Sequence, residues 1–206
     1  MASLNKIEKN IGIVLLAAGE SSRLGRPKQL LPYGNQTLLR HCLQIASGAE
    51  ANPIVLVLGA QAEIIKKEIP GFDSQIVINA DWEEGMASSI RLGIKKLAEI
   101  NSAAEGAILM VCDQPYVTSI LLNNLVSAHQ KSGKQIVACG YAGTFGPPAL
   151  FHNSLFPELL QLKGDVGARN VIKQHADAVE VIPFPEGTYD VDTEEDYEKI
   201  RGVGKQ

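Results

Sequence analysis

Apolar residues follow two alternating rhythms along this chain. The runs "IGIVLL" (residues 11–16), "PIVLVLG" (53–59), "QIVIN" (75–79), "GAILMVCD" (106–113) and "QIVACG" (135–140) are short, nearly continuous, rich in β-branched residues and bounded by turn formers. That pattern predicts strands covered on both faces. Between the runs, apolar positions recur every three to four residues. Leu38, Leu39, Cys42, Leu43 and Ile45 do so over 37–46, Ile64 and Ile65 over 60–69, and Ile90, Ile94, Leu97 and Ile100 over 86–100. Each predicts a helix with one buried stripe. A fourth helix, "TSILLNNLVSAHQKSG", has Thr118 as its N-cap and Gly133 just beyond its end. His129 lies on its apolar stripe with Leu122, Leu125 and Val126, and reads as packed rather than catalytic.

Strands and helices in alternation require right-handed crossovers, so the expected fold is α/β with a mostly parallel sheet. After Gly140 the rhythm changes to "YAGTFGPPALF", a helical pair over 155–174, a strand "AVEVIPF" and a closing helix from Thr193. These predict antiparallel elements added on one edge of the sheet. No internal repeat or low-complexity linker divides the chain, which reads as one domain over 1–206. Ligands of such sheets bind beyond the carboxyl ends of the strands, so the loops after Leu16, Ile78 and Cys112 are where chemistry is expected.

Composition narrows the function. The net charge of -4 argues against a general nucleic-acid binder, so any polyanion site must be local. Cys42, Cys112 and Cys139 show neither C-x-x-C nor zinc-ligand spacing and read as buried thiols of a reducing compartment. "MASLNKIEKN" lacks the apolar core of a signal peptide, and no apolar stretch approaches the roughly 20 residues of a membrane helix. A cytoplasmic protein without a membrane partner is expected. Lys6, Lys9 and the terminal "GVGKQ" read as fraying ends.

The loop after the first strand carries the chemistry. "VLLAAGESSRLGRPKQLLPYG" breaks a buried strand with Ala17, Ala18 and Gly19, and sets Arg23 and Lys28 just behind. It is not a Walker loop, because Gly19 and Gly25 enclose five residues and Lys28 is followed by Gln29; nor does it contain G-x-G-x-x-G. What remains is a small-residue turn whose N–H groups can converge on an anion, backed by a guanidinium fork and an ammonium point charge.

"LLAAGESSRLGRPKQLLPYG" resembles the L-A-A-G-x-S-x-R-[ML]-G-x-x-K-x-L-L-P signature of nucleotidyltransferases with a GT-A-like fold, and within them the molybdenum cofactor cytidylyltransferase group. "NADWEEGMASSI", "VCDQP", "LKGDVGAR" and "YDVDTEEDY" resemble further segments of that group and extend the resemblance over nearly the whole chain. One departure is Pro147 in "FGPPALF", where members often carry histidine. The resemblance implies a Rossmann-like three-layer sandwich of the nucleotide-diphospho-sugar transferase type. It assigns 10–140 to nucleotide and metal, and 141–206 to the acceptor and closing elements.

It further implies transfer of CMP from CTP to the phosphate of a molybdopterin-type cofactor, serving a xanthine dehydrogenase-like client. Leu16, Ala17, Ala18, Gly19, Arg23, Lys28, Asn79, Gly85, Met86, Ser88 and Ser89 would bind nucleotide. Asp113 would hold Mg²⁺ together with Asp192 or Asp190, and Arg23, Lys28 and Asp113 would be catalytic. Asp165 and Arg169 would meet the acceptor. The CTP preference rests on Ala18, where guanylyltransferase relatives often have glycine, and on "GMASSI".

Other readings of the same residues stay open. Gly85, Ser88 and Ser89 could merely open a helix, Trp82 could stack on a base or fill the core, and Asp165 with Arg169 could form an i,i+4 ion pair. Asp190, Asp192, Glu194, Glu195 and Asp196 form an acidic cluster of which most members serve as ordinary charge or helix caps. At the level of function, the rivals are a GTP-dependent or other NTP transferase acting on a different phosphorylated molecule, and a carrier or insertion factor for the finished cofactor.

Overall fold

The computed structural model describes residues 10–201, so Lys6, Lys9 and the terminal "GVGKQ" lie outside the described residues. The first half contains β1 (Ile11–Ala17), β2 (Pro32–Tyr33), β3 (Gln36–Thr37), α1 (Leu38–Ser47), β4 (Ile54–Leu58), α2 (Ala62–Ile65), β5 (Gln75–Ile78) and α3 (Met86–Ile100). The second contains β6 (Gly106–Val111), α4 (Ser119–Ser132), β7 (Ile136–Tyr141), β8 (Thr144–His152), α5 (Phe156–Leu159), α6 (Arg169–Gln174), β9 (Val179–Pro183) and α7 (Glu194–Ile200). Seven strands form one sheet in the order β5-β4-β1-β6-β8-β7-β9. From β1 the chain moves outward through β4 to β5, then returns to β6 on the other flank. The switch point therefore lies between β1 and β6, where ligands of open parallel sheets bind.

β1 shows why the sheet has two covered faces. Ile11, Ile13, Leu15 and Ala17 join one core with residues of α1, α4 and α7, while Val14 and Leu16 join a second core with residues of α3, α5 and α6. The alternation is the two-residue period of a strand, and it makes three layers. α3 lies close against the sheet because Gly93 has no side chain. A Cβ there would fall inside the van der Waals envelope of Val14 Cγ1 and stand 3.1 Å from Val57 Cγ2. Gly93→Ala is expected to cost about 1–3 kcal/mol, read as a lower urea midpoint with unchanged slope.

The expected helix over 118–133 is present, with the Thr118 side chain accepting from Leu121 N–H and Gly133 in the left-handed region at φ 65. His129 Nδ1 pairs with Lys134 O at 2.8 Å, as a packed histidine does. The closing helix starts at a reciprocal Thr193–Asp196 capping box. No helix among the described residues is long and apolar enough to cross a membrane.

Three expectations are corrected. β5 is an edge strand with Ile76 and Ile78 exposed, so it is not covered on both faces. The helix expected over 60–69 is only α2 followed by the 3-10 turn Lys66–Glu68, because Ile64 points to solvent and the apolar stripe is too thin to hold three turns. The antiparallel strand β8 lies inside the sheet, between β6 and β7, rather than on its edge.

Ala142 and Gly143, at φ 47 and 72, make the two-residue hairpin turn whose twist matches its strands and folds β8 back on β7. Pro147 and Pro148 then interrupt the ladder, since neither has an N–H to give. Ala138 faces Ala149 while the next residue, Cys139, already faces Gly146. Pairing with β6 stops at Leu109 and Ala149, which leaves room beside the carboxyl end of β6.

All three cysteines are buried and unpaired. The hydrogen bond with Cys112, followed by burial, raises the Cys42 thiol well above its ordinary value, and burial pushes Cys139 up to about 12. Because all three are buried, the native protein is expected to leave an aromatic disulfide reagent unreacted at pH 8, with three thiols reacting only on unfolding.

Candidate active site

The loop after β1 is built to turn its acceptors inward. The side chain of Gln29 donates to Ala17 O at 2.8 Å and to Gly19 O at 3.0 Å, and Ala60 N–H donates to Ala18 O at 3.0 Å. Among the described residues, none of the backbone N–H groups of residues 19–23 donates a hydrogen bond. Ser21 adopts the left-handed conformation at φ 63 and its Oγ accepts the Lys28 N–H at 3.0 Å, which ties the two ends of the turn together. A row of unpaired donors beside a cleft has the geometry to receive an anion.

Behind the loop, one cation joins residues from three distant parts of the chain. Lys28 Nζ lies 2.9 Å from Asp113 Oδ2 and 2.6 Å from Asp192 Oδ1, while Arg23 Nη2 reaches Asp192 Oδ2 at 2.8 Å. Asp113 follows β6 with only Cys112 between, and Val191 N–H donates to Asp113 O at 2.9 Å, which draws the 190–192 segment alongside. The Lys28 side chain is 13% exposed against 68% for Arg23, so Lys28 makes the less screened pair. Desolvation pulls the Lys28 pKa down, but the two carboxylates outweigh it and hold the value above that of an ordinary lysine. Desolvation likewise pushes Asp192 up, yet Lys28 and Arg23 leave it below the usual carboxylate value.

Asp190 differs. Desolvation and then the Asp113 and Asp192 charges raise its pKa, against a hydrogen bond from Gln114 and the charge of Arg169. Of the two alternatives, Asp192 is the one that shares a cation with Asp113. Two carboxylates converging on one ammonium fit a hard divalent ion that keeps several waters, with Lys28 Nζ standing in for it. Among the described residues, no group of three or more His, Cys, Asp or Glu forms a fuller cage.

A cleft of about 680 Å³ opens over these groups. Leu16, Ala17, Ala18, Gly19, Arg23 and Lys28 line it from the loop, and Gly85, Met86 and Ser89 from the start of α3. Asp113, Asp190 and Asp192 line it from the acidic side, and Asp165, Arg169 and Pro147 from the second half of the chain. Asn79 and Ser88 do not line it. Asn79 Nδ2 instead donates to Ser88 Oγ at 2.8 Å and Ser89 Oγ at 3.0 Å, and Ser88 Oγ donates to Gly85 O at 2.8 Å. The two residues brace the turn that presents Gly85 and Ser89. Trp82 packs on the second core and also lines the cleft.

The i,i+4 ion pair of Asp165 and Arg169 is not formed. α6 begins only at Arg169, so the two residues do not share a helix, and Arg169 Nη2 donates to Tyr141 OH at 3.2 Å instead. The 164–165 turn closes on the start of α3: Gly164 O accepts Ala87 N–H at 3.1 Å, and a Cβ on Gly85, at φ 109, would stand 2.6 Å from Gly164 C. Sequence reasoning missed Gln29, Gln114 and Tyr141. Gln29 sits inside the quoted signature, but nothing local distinguishes its side chain from any other polar one.

The MobA-like NTP transferase domain family matches residues 13–179. The chain is 28% identical over 198 residues to purine catabolism protein PucB of Bacillus subtilis (strain 168), covering 91% of this chain and 94% of that one. It is 31% identical over 193 residues to nicotine blue oxidoreductase of Paenarthrobacter nicotinovorans, covering 88% and 92%. The crystal structure of Rv0371C from Mycobacterium tuberculosis H37Rv in complex with manganese aligns with a TM-score of 0.77 at 31% identity, covering 93% of this chain and 97% of that one.

Proposed function

This chain belongs to the MobA-like NTP transferase domain family, and on that premise we propose that it transfers CMP from CTP to the phosphate of a molybdopterin-type molybdenum cofactor, releasing pyrophosphate. The observation that carries this reading is the Lys28 ammonium shared by Asp113 and Asp192 beside the unpaired N–H groups of residues 19–23. A triphosphate and a divalent ion need those two surfaces side by side.

An acceptor phosphate oxygen attacks the α-phosphorus in line, the bond to the bridging oxygen breaks, and pyrophosphate leaves with that electron pair. The work left to the protein is positioning and charge. The 17–19 loop and the N–H groups after it hold the phosphates, and Arg23 and Lys28 offset charge gathering on the pyrophosphate. Asp113 and Asp192 would hold Mg²⁺, which supplies positive charge at the phosphoryl oxygens when bound. The nucleophile is already anionic, so no general base is required, and none of the four histidines lines the cleft. Ala18, Gly85, Met86 and Ser89 face the nucleoside. Arg169 and Asp165 face the acceptor, with Pro147 offering it an apolar surface.

In this reading residues 10–140 serve nucleotide and metal, and residues 141–206 the acceptor. The name of the Bacillus subtilis relative, a purine catabolism protein, supports a xanthine dehydrogenase-like client, since xanthine is a purine. The test is pyrophosphate release from CTP, GTP, ATP or UTP with Mg²⁺ and purified molybdenum cofactor. Acceptor-dependent release with CTP is the expected result; preference for GTP would sink the cytidine assignment. A second reading, redox catalysis, is favoured by the name of the 31% identical relative. With a reduced nicotinamide cofactor and a quinonoid dye supplied, it would appear as oxidation of the cofactor matched by two-electron reduction of the dye, without pyrophosphate release.

A further inference from the structure

Gln29 is 1% exposed and yet polar. Its carboxamide donates both N–H groups to one loop, at Ala17 O and Gly19 O, while its own Oε1 is buried without a hydrogen-bond partner. An unpaired buried acceptor lowers stability. The reason for a glutamine has to be sought in what its donors hold.

A trans peptide unit points its C=O and the following N–H in opposite directions. Holding Ala18 O inward, as Ala60 N–H does, turns the Gly19 N–H outward; holding Gly19 O inward, as Gln29 does, turns the Glu20 N–H outward. The grip on Ala17 O fixes the strand end from which both swing. We infer that Gln29 is a positioning residue, which keeps the 17–19 carbonyls turned into the protein and so presents the Gly19 and Glu20 N–H groups to the triphosphate. It lies beneath the cleft, but with 1% exposure and both donors committed to Ala17 O and Gly19 O it acts through the loop. The inference rests on the nucleotide reading above.

Gln29→Met keeps the length and shape and removes both donors, and Gln29→Glu is the second variant should the first not fold. Titration calorimetry with tripolyphosphate and with CTP is expected to show both ligands weakened by a similar factor, about tenfold to a hundredfold. In steady state KM for CTP rises while kcat stays within about threefold, the pattern of lost uniform binding. Variants that melt lower but bind both ligands as the wild type does would make Gln29 a merely structural residue and overturn the inference. A fall in kcat with unchanged KM would overturn it as well. A wild-type protein that binds neither tripolyphosphate nor CTP would instead overturn the nucleotide reading, and this inference with it.

Discussion

Lys28→Met lowers kcat/KM for CTP by about a hundredfold to a thousandfold, the usual cost of removing one preorganised positive donor from a phosphoryl-transfer site. The residue is poised for this because it is largely buried and held between Asp113 and Asp192 at 2.9 and 2.6 Å, with its ammonium form favoured by both. A divalent ion entering between those carboxylates would stand within a few ångströms of a like charge. Lys28 then has reason to swing toward the phosphates. The same variant therefore has a second expected signature. With the competing ammonium gone, Mn²⁺ added without nucleotide binds more tightly than to the wild type, as counted from the free-ion resonance signal. Weaker Mn²⁺ binding would contradict this account of the site.

Asp113→Asn is the second variant with a large effect. It keeps the shape of the side chain and removes the charge, so one of two carboxylates for the metal is lost. A fall of about a thousandfold in single-turnover transfer is expected, with CTP affinity changed less than about tenfold, since the 17–19 loop and Lys28 remain. Stability changes little, because Lys28 keeps its 2.6 Å pair with Asp192. Undiminished transfer would remove Asp113 from the catalytic set, and cofactor binding without transfer in the wild type would favour a carrier over an enzyme.

Much of the architecture can be read along the chain because its causes are local. The continuous apolar run of β1, the Thr118 cap, the Gly133 stop and the Thr193–Asp196 box each involve residues a few positions apart. What went unread depended on distant partners. The insertion of β8 between β6 and β7 follows from a turn and a pair of prolines, but no local rule says which neighbours a hairpin will enter. The ion pair expected of Asp165 and Arg169 presumed one helix over both, whereas the 164–165 turn is held against α3.

By itself the sequence determined the strands, the main helices, the small-residue turn after β1 and the cations behind it, since period, capping and backbone freedom act over one or two turns of chain. Only the tertiary structure distinguishes Asp192 from Asp190, by setting Asp192 against a lysine 164 positions away. It also turned Gln29 inward and gave Asn79 and Ser88 a bracing role instead of a place in the cleft. These outcomes depend on which surfaces the packed sheet brings within about 3 Å. A charge or an amide acquires its role from the neighbour that desolvates or pairs it, and that neighbour is chosen by packing across the whole fold.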